Sequence, residues 1–310
     1  MKLAFIYAGQ GSQTVGMGKS LYDSYPAARP VFDNTEIDFD LKRVCWQGPA
    51  ELLNRTEYTQ PCMVAAAIAA TCALAERGVR PDMAAGLSLG EYSALYAAGV
   101  FDQQTAITLT RIRGQAMEQT VKGMDGRMAA VLGLDRTALQ KVCDEAGSLG
   151  VVQIANYNCP GQMVIGGEAA AVERAAALAL EGGARRVVPL NVSGPFHTSL
   201  LEPAARKLAE TLKGTELKNP HIPVIFNATA APLKPGETVA ELLTRQVMSP
   251  VYFEDSLRAM ERAGIDTFIE IGPGRVLSGF VRKTCPSVRV LGVEDAESLE
   301  AAVAAINQTV

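Results

Sequence analysis

Short apolar runs alternate with amphipathic stretches along this chain, and the alternation predicts strands separated by helices. Residues 2–7 and 83–85 are apolar runs of strand length. A helix is predicted to begin at Gln60-Pro61, since proline suits the first turn of a helix, and to end near residue 77. Another helix is predicted after Asp102, whose side chain is a suitable N-cap, as far as residue 121. Strands and helices in alternation are typical of an α/β fold.

The middle of the chain has a separate rhythm of shorter elements. Its pattern predicts, in order, a strand at 127–133, a helix at 136–146, strands at 151–156 and 163–166, a helix at 168–180 and a strand at 185–190. This β-α-β-β-α-β order is the ferredoxin-like one. We therefore predict a small ferredoxin-like subdomain, residues 125–191, inserted into a larger α/β domain formed by residues 1–124 and 192–310.

The larger domain resumes after the inserted segment. A helix is predicted after Ser199, strands near residues 224–227 and 267–271, and a final helix near residues 296–306. No internal repeat or low-complexity linker interrupts the pattern. The two outer parts of the chain are therefore expected to form one larger domain.

Composition and charge argue against several classes of protein. Hydrophobic residues make up 48% of the chain and charged residues 20%, as in a soluble globular enzyme. The net charge of −4 provides no basic field for nucleic acid. The first residues lack the pattern of a signal peptide, and the most apolar helix candidate, residues 63–75, is too short and alanine-rich to cross a bilayer. We therefore expect a cytoplasmic protein with no membrane or nucleic-acid partner.

The cysteines carry no sign of a metal or disulfide framework. There are six of them, and they form neither a CxxC pair nor a zinc-site spacing. We interpret them as reduced thiols that fill the core of a cytoplasmic protein. No metal site is expected.

The most informative motif is Gly86-Leu87-Ser88-Leu89-Gly90, which joins the strand at 83–85 to a helical pattern at 91–98. It has the form of a nucleophile elbow, in which a serine on a strand-to-helix turn exposes its hydroxyl. The glycines leave room for the sharp turn, and the helix N-terminus offers N–H groups to an anion. The alternative is a glycine-rich turn that merely packs a strand on a helix. We predict Ser88 as a nucleophile within an α/β-hydrolase-like large domain.

A serine nucleophile needs a base, and the chain has two histidines. His221 lies in a proline-bracketed lead into a strand, whereas His197 lies in a loop before a helix, the commoner place for chemistry. His197 is therefore the predicted base. No acid between Ser88 and His197 is a convincing third member of a triad, because the candidates lie at turns or in the first helix of the inserted segment: Asp125, Asp135 and Asp144. A backbone carbonyl that orients the histidine would make this a dyad instead.

Two further features could contribute to such a site. Arg111 and Arg113 lie two residues apart on a predicted helix, so they point to different faces. One can be solvated while the other faces inward, and an inward Arg113 near the serine would bind a carboxylate bidentately. The loop 9–13 follows the first strand, at the sheet edge where α/β sites form. Its glycines let main-chain N–H groups face a ligand, although a simple tight turn is the alternative.

A set of motifs covers nearly the whole chain: Gly-Gln-Gly-Ser-Gln (9–13), Gly-x-Ser-Leu-Gly-Glu-Tyr (86–92), Arg-Gly-Gln-x-Met (113–117), Asn-Tyr-Asn-Cys-Pro-Gly-Gln (156–162), Pro-Phe-His (195–197), Gln-Val-x-Ser-Pro-Val (246–251) and Glu-Ile-Gly-Pro-Gly (270–274). In this order they resemble the malonyl-CoA:acyl carrier protein transacylases, which load acyl groups for fatty acid synthesis. Two positions differ from the usual family pattern. Leu87 stands where histidine is frequent, and Ala8 where proline is frequent.

The resemblance implies roles for individual residues. Ser88 would carry the acyl ester, and His197 would act as general base and then as general acid. Arg113 would pair with the free carboxylate of the malonyl group. The main-chain N–H groups of Gln10 and Leu89 would form the oxyanion hole.

The same resemblance implies supporting residues around this centre. The main-chain carbonyl of Gln246 would hold His197, which would account for the missing triad acid. Phe196, Met117 and Asn156 would line the acyl pocket, and a phenylalanine before the histidine is the form found in malonyl-selective members.

The reaction expected from the resemblance is malonyl transfer from malonyl-CoA to holo acyl carrier protein through a malonyl-serine. No cofactor is expected beyond the coenzyme A thioester that serves as substrate, and the protein is expected to be a monomer. A malonyl loader for polyketide synthesis would share every motif. A serine thioesterase would share the elbow and the histidine, and a non-catalytic docking module would need neither.

Overall fold

The structure is a computed structural model that describes residues 1–308. Two five-stranded sheets organise this part of the chain. The strands are β1 (Leu3–Tyr7), β2 (Met83–Gly86), β3 (Gly126–Leu132), β4 (Val152–Cys159), β5 (Gln162–Glu168), β6 (Arg186–Pro189), β7 (Val224–Ile225), β8 (Val251–Tyr252), β9 (Thr267–Ile271) and β10 (Arg289–Val293).

Helices cover the sheets and supply most of the remaining core. The α-helices are α1 (Lys19–Ser24), α2 (Arg29–Asp33), α3 (Leu41–Gln47), α4 (Ala50–Leu53), α5 (Thr56–Glu76), α6 (Gly90–Ala97), α7 (Gln103–Val121), α8 (Arg136–Ala146), α9 (Ala169–Glu181), α10 (Glu202–Lys213), α11 (Val239–Val247), α12 (Phe253–Arg262), α13 (Val276–Thr284) and α14 (Ala296–Asn307). Short 3₁₀ turns occupy Pro26–Ala28, Gly147–Leu149 and Ser199–Leu201. The predicted α/β fold is confirmed.

The first sheet is wholly parallel, in the order β10-β9-β1-β2-β7. Every residue of β1, β2 and β9 is buried. Strands covered by helices on both faces are expected to be continuously apolar, as β1 and β2 are, whereas β9 also contains Thr267 and Glu270. The carboxyl ends of β1 and β2 lie side by side, because Tyr7 pairs with Gly86. The loop 9–13 and the elbow therefore leave the sheet at the same edge.

The second sheet has the order β6-β3-β5-β4-β8 and is antiparallel except for the β4–β8 pair. Residues 126–189 supply four of its strands in the predicted β-α-β-β-α-β sequence, and α8 and α9 pack against them. The fifth strand, β8, comes from much later in the chain. Val251 and Tyr252 pair with Asn156 and Tyr157, so this sheet draws on chain from outside the inserted segment.

Strand β4 was predicted to end at residue 156, but in the structure it continues to Cys159. Its pairing with β5 shifts register between Ile154 and Asn156, and again between Tyr157 and Cys159. Such bulges interrupt the alternation of buried and exposed residues on which the prediction relied. The two-residue strand β8 and the half-buried β10 lay outside the sequence-based predictions.

Helix α5 begins at Thr56 and not at Gln60, so the predicted start was wrong. Pro61 lies inside the helix, where it lacks the N–H that would bond to the carbonyl of Glu57. That carbonyl accepts a hydrogen bond from Arg111 Nη1 at 2.8 Å. A side chain from α7 therefore replaces the missing backbone donor, and the helix continues through the proline.

Helix α5 is longer than the apolar helix predicted at residues 63–75, which was expected to be too short to cross a bilayer. At 21 residues it is long and apolar enough to cross a membrane by those two measures, but 78% of its most apolar window is buried inside the protein. It packs against α6, α7 and α14. Helix α5 is therefore a core helix.

The six cysteines are free thiols, five of them buried, in line with the predicted role as core residues.

The role of Arg111 in supporting α5 leads to a stability prediction. Its guanidinium also pairs with both carboxylate oxygens of Asp38, at 2.9 Å each. We expect Arg111→Ala to lower the free energy of unfolding by about 2 kcal/mol, because it removes charged hydrogen bonds and leaves the Glu57 carbonyl without its donor. Chemical denaturation measures this. Arg43→Ala, at an exposed position on α3, is the control and should change stability by less than about 0.5 kcal/mol. Equal effects of the two substitutions would contradict the assignment.

Candidate active site

The predicted elbow forms between β2 and α6 and places Ser88 in a left-handed backbone conformation with φ 53°. The flanking glycines are required by space. A Cβ added to Gly86 would lie 1.9 Å from the carbonyl carbon of Gly90, and one added to Gly90 would lie 2.2 Å from the carbonyl oxygen of Tyr7. The turn is therefore closed so tightly against β1 that only glycine fits on either side of the serine.

His197 lies directly opposite this serine. Its Nε2 is 2.6 Å from Ser88 Oγ, and its Nδ1 is 2.8 Å from the main-chain carbonyl oxygen of Gln246. A carbonyl oxygen only accepts hydrogen bonds, so Nδ1 carries the proton and Nε2 is free to accept the serine hydroxyl. His197 also has a positive φ, 61°. The imidazole therefore bridges the Ser88 hydroxyl and a main-chain carbonyl oxygen.

The other residues considered for the base and the acid lie elsewhere. His221 is exposed, and its ring lies near Gly99. Asp135 caps α8 by accepting from the Ala138 N–H. Asp125 precedes β3 and Asp144 lies in α8, both in the inserted segment. Within residues 1–308, Ser88 and His197 are thus brought together without an aspartate or glutamate bonded to the imidazole.

The pKa of His197 is lowered from 6.5 to about 4. Burial is the main cause, because the ring is only 4% exposed, and the positive charge of Arg113 acts in the same direction. The hydrogen bond to the Gln246 carbonyl opposes the shift. The imidazole is therefore neutral at pH 7, in the form that can accept a proton.

Arg113 projects from α7 into the same site and is 1% exposed. Its Nη2 donates to Gln246 Oε1 at 3.0 Å and approaches Ser88 Oγ at 3.3 Å. The guanidinium carbon lies 5.7 Å from the centroid of the Tyr92 ring, a cation–π distance. The Nε atom has no protein partner among the described residues, so the guanidinium retains unused hydrogen-bonding capacity.

The two arginines of α7 point to different faces, as predicted, but the expectation that one of them is solvated was wrong. Arg111 is 8% exposed and pairs with Asp38 and Glu57. Arg113 takes part in none of the ion pairs formed by residues 1–308. Of these two arginines, only Arg113 has no carboxylate bonded to it within the described part of the chain, and burial lowers its pKa. A bound carboxylate would supply the missing charge.

A cavity of about 270 Å³ opens over Ser88, between the two sheets. The residues predicted for the pocket, Met117, Asn156 and Phe196, all line it, together with Gln10 and Arg113. Sequence reasoning missed Gln60 and Asn158, which also line it and whose Oε1 and Oδ1 atoms have no partner within the described chain. Asn158 belongs to the same motif as Asn156, whereas Gln60 was interpreted only as a helix start.

The loop after β1 lies against the elbow. A Cβ on Gly9 would come within 2.6 Å of the Leu87 carbonyl oxygen, so glycine permits this approach. The side chain of Gln10 is fixed by donation to Thr56 Oγ1 at 3.1 Å. The main-chain N–H groups of Gln10 and Leu89 donate to no protein acceptor in the region 1–308, whereas the Ser88 N–H is taken by Asn227 Oδ1 at 2.6 Å. Two unused amides therefore stand beside the serine.

Comparison with known proteins adds to this geometry. A family model described as an acyl transferase domain matches residues 4–306. The chain belongs to the acyl transferase family. A relative from Bacillus subtilis called malonyl CoA-acyl carrier protein transacylase is 44% identical over 310 residues, which cover 99% of this chain and 98% of the relative.

Solved structures of similar proteins share the fold of this acyl transferase. The malonyl CoA-acyl carrier protein transacylase from Clostridium perfringens superposes with a TM-score of 0.97 at 40% identity, covering 100% of this chain and 98% of that one. A second structure, described as PlMCAT:AntF, contains a type II PKS acyl-carrier protein in complex with its malonyl-transacylase. It has a TM-score of 0.94 at 38% identity, covering 98% of this chain and 100% of that one.

The two departures from the resemblance lie at the edge of the acyl transferase site. Leu87 lines the cavity. The Ala8 N–H donates to the Ile271 carbonyl at 3.0 Å, a bond that proline would not make. Neither side chain offers a group that takes or gives a proton.

The lowered pKa of His197 predicts an unusual pH profile for Ser88. The rate of Ser88 labelling by a fluorophosphonate should stay constant from pH 7 to about pH 5 and halve only near pH 4, because the neutral imidazole is the reactive form. Arg113→Ala removes a charge that opposes protonation, so its acid limb should move to higher pH. Labelling is followed by intact mass where circular dichroism shows folded protein. A wild-type limb at pH 6.5, the value of an ordinary histidine, would contradict the assignment.

Proposed function

We propose that this acyl transferase moves a malonyl group from malonyl-CoA to the phosphopantetheine thiol of holo acyl carrier protein through a malonyl-Ser88 ester. The observation that carries the proposal is the buried charge of Arg113, within reach of Ser88 Oγ and without a carboxylate partner. An acyl group that ends in a carboxylate satisfies it, whereas an acetyl group leaves the cation unpaired. The names of the similar proteins from Bacillus subtilis and Clostridium perfringens support the same reaction.

The first half-reaction forms the ester. His197 Nε2 takes the hydroxyl proton as Ser88 Oγ attacks the thioester carbonyl carbon, and the carbonyl π electrons move to its oxygen. When the tetrahedral intermediate collapses, the carbon–sulfur bond breaks and the departing coenzyme A sulfur receives the proton from His197. The products are malonyl-Ser88, coenzyme A and a neutral imidazole ready for the next step.

The second half-reaction runs the same chemistry with a different thiol. The phosphopantetheine thiol of the carrier protein gives its proton to His197 Nε2 and attacks the ester carbonyl. The bond from the carbonyl carbon to Ser88 Oγ breaks, and the serine oxygen recovers the proton. A neutral, buried histidine suits both halves, because each begins with proton acceptance and ends with proton return.

The main-chain N–H groups of Gln10 and Leu89 are proposed to hold the negative oxygen of both tetrahedral intermediates. Neither N–H has a protein acceptor among residues 1–308, Gln10 lines the cavity together with Ser88, and Leu89 follows Ser88 in the chain, which supports this role. Each such donor contributes about 2.7–4 kcal/mol to transition-state stabilisation in comparable sites. Gln246 is proposed to orient His197 through its carbonyl, while Phe196, Met117 and Asn156 shape the space for the acyl chain.

We also propose the domain division given by the sequence, with an α/β-hydrolase-like larger domain at 1–124 and 192–310 and a ferredoxin-like subdomain at 125–191. The strand order β6-β3-β5-β4 and the two helices packed on that sheet support the second assignment.

The protein is proposed to be a cytoplasmic monomer that uses no metal or cofactor beyond the coenzyme A thioester. Fatty acid synthesis is the proposed pathway. Polyketide synthesis is the second candidate, favoured by the complex with a type II PKS carrier protein.

The proposed reaction is tested by intact-protein mass. One malonyl group should appear on the wild-type chain after mixing with malonyl-CoA, should be absent from Ser88→Ala, and should pass to holo acyl carrier protein when that is added. An adduct that decays in buffer without a carrier would indicate a thioesterase. No adduct from either malonyl-CoA or acetyl-CoA would favour a docking module. Comparing a fatty acid carrier with a polyketide carrier as acceptor separates the two pathways.

The selectivity assigned to Arg113 is tested by Arg113→Ala. We expect kcat/KM for malonyl-CoA to fall about 100- to 1,000-fold, corresponding to about 3–4 kcal/mol for loss of one partner of a buried charge pair. The value for acetyl-CoA should hold or rise, because no buried cation is left unpaired. Arg113→Lys keeps the charge without the bidentate fork. Its kcat/KM for malonyl-CoA should lie between those of wild type and Arg113→Ala. Unchanged preference for malonyl over acetyl in Arg113→Ala would reject the role.

A further inference from the structure

Asn227 is a fully buried asparagine, placed two residues after β7, that the chemistry above does not use. Its Oδ1 accepts from the Ser88 N–H at 2.6 Å, and its Nδ2 donates to the Gly86 carbonyl at 2.6 Å. The acceptor and donor partners fix which amide atom is oxygen and which is nitrogen. One side chain therefore holds the end of β2 and the serine itself, on either side of Leu87.

The backbone of Asn227 is fixed in turn from two directions. Its N–H donates to Glu91 Oε2 at 2.6 Å, and its carbonyl accepts from the Tyr252 N–H at 3.0 Å. Glu91 belongs to α6 and Tyr252 to β8, so the helix behind the elbow and a strand of the second sheet both meet Asn227. Asn227 itself lies in a turn, yet its backbone is held at both its N–H and its carbonyl oxygen. The position of its amide is set by the whole fold around the elbow.

The contact with Glu91 also leaves the electrostatics of the site intact. Burial raises the pKa of Glu91 to about 8, so its carboxyl group is protonated at neutral pH. A neutral carboxyl group accepts the Asn227 N–H without placing a negative charge beneath the elbow. The positive charge of Arg113 therefore remains available to an anionic acyl group while the support of the serine is complete.

Ser88 needs such support because its φ of 53° lies in a region that side-chain-bearing residues rarely occupy. A strained residue of this kind persists only where its surroundings over-determine it. The hydrogen bond from the Ser88 N–H fixes the peptide plane before the serine, and the bond to Gly86 fixes the plane from which the turn starts. Together they determine where Oγ points.

We propose that Asn227 is a positioning residue that holds the elbow so that Ser88 Oγ meets His197 Nε2. The inference rests on the proposed function in taking Ser88 as the nucleophile. It also explains why the serine's own amide is not an oxyanion donor, since Asn227 occupies it. The amides left for that role are those of Leu89 and Gln10.

The test compares three variants. Asn227→Leu has a similar shape but offers neither hydrogen bond. Asn227→Asp keeps an acceptor for the Ser88 N–H and loses the donor to Gly86. Ser278→Ala is the matched control, because it removes another buried hydrogen bond, from Ser278 Oγ to Glu270 Oε2 at 2.5 Å, away from the elbow. The melting temperature of each of the three variants measures how much stability it has lost.

Two readouts separate positioning from general stability. The first is the rate of Ser88 labelling by a fluorophosphonate, which needs no acyl-CoA. The second is the split between kcat and KM for malonyl transfer. We expect Asn227→Leu to lower the labelling rate and kcat about 100-fold with KM nearly unchanged, because a displaced nucleophile affects the chemical step and not substrate binding. Asn227→Asp should recover part of the rate, and Ser278→Ala should match wild type in both.

The outcomes are distinct. Labelling and kcat within about threefold of wild type in folded Asn227→Leu would overturn the inference. So would an equal loss in Ser278→Ala at the same loss of melting temperature. If wild type is labelled by the fluorophosphonate but never gains a malonyl group, the proposed function fails, and the labelling rates of the variants still decide the role of Asn227.

Discussion

A buried cation without a counter-ion is the constraint on which the rest of this site depends. Placing the Arg113 guanidinium in the protein interior costs free energy that hydrogen bonds only partly offset. Gln246 Oε1, Ser88 Oγ and the face of Tyr92 approach it, and all three are neutral. Burial disfavours the charged form of Glu91 and raises its pKa to about 8, against the opposing effect of the Arg113 charge. The site thus retains a positive potential, which disfavours a proton on His197 and favours an anionic ligand.

Gln246 connects the three groups that must act together. Its carbonyl accepts from His197 Nδ1, its Oε1 accepts from Arg113, and its Nε2 donates to the Ser88 carbonyl at 2.9 Å. A carboxylate in its place would orient the imidazole equally well but would neutralise Arg113 and raise the pKa of His197. The neutral carbonyl is therefore compatible with a cationic pocket in a way that the acid of a usual triad is not.

Much of this arrangement was available from the sequence, for identifiable reasons. The elbow at Ser88 is local, because strand, glycines and helix are contiguous, and the same holds for the N-cap at Asp102. The continuation of α5 through Pro61 could not be predicted from the local sequence. The donor that compensates for the proline, Arg111, is 50 residues away. Arg111 is also paired with Asp38, which lies in the loop between α2 and α3. Asn227 has no motif signal, since its partners come from β2, α6 and β8.

The parallel pair between β4 and β8 has a consequence for how this family can be recombined. Residues 126–189 resemble a module with its own helices and core, yet their sheet is completed by Val251 and Tyr252. The Tyr252 N–H in turn bonds to Asn227, which bonds to the serine turn. A chimera that exchanges only the inserted segment would join a foreign β4 to the native β8 and transmit any mismatch to the nucleophile. Grafting between relatives should therefore take the segment and the β8 strand as one unit.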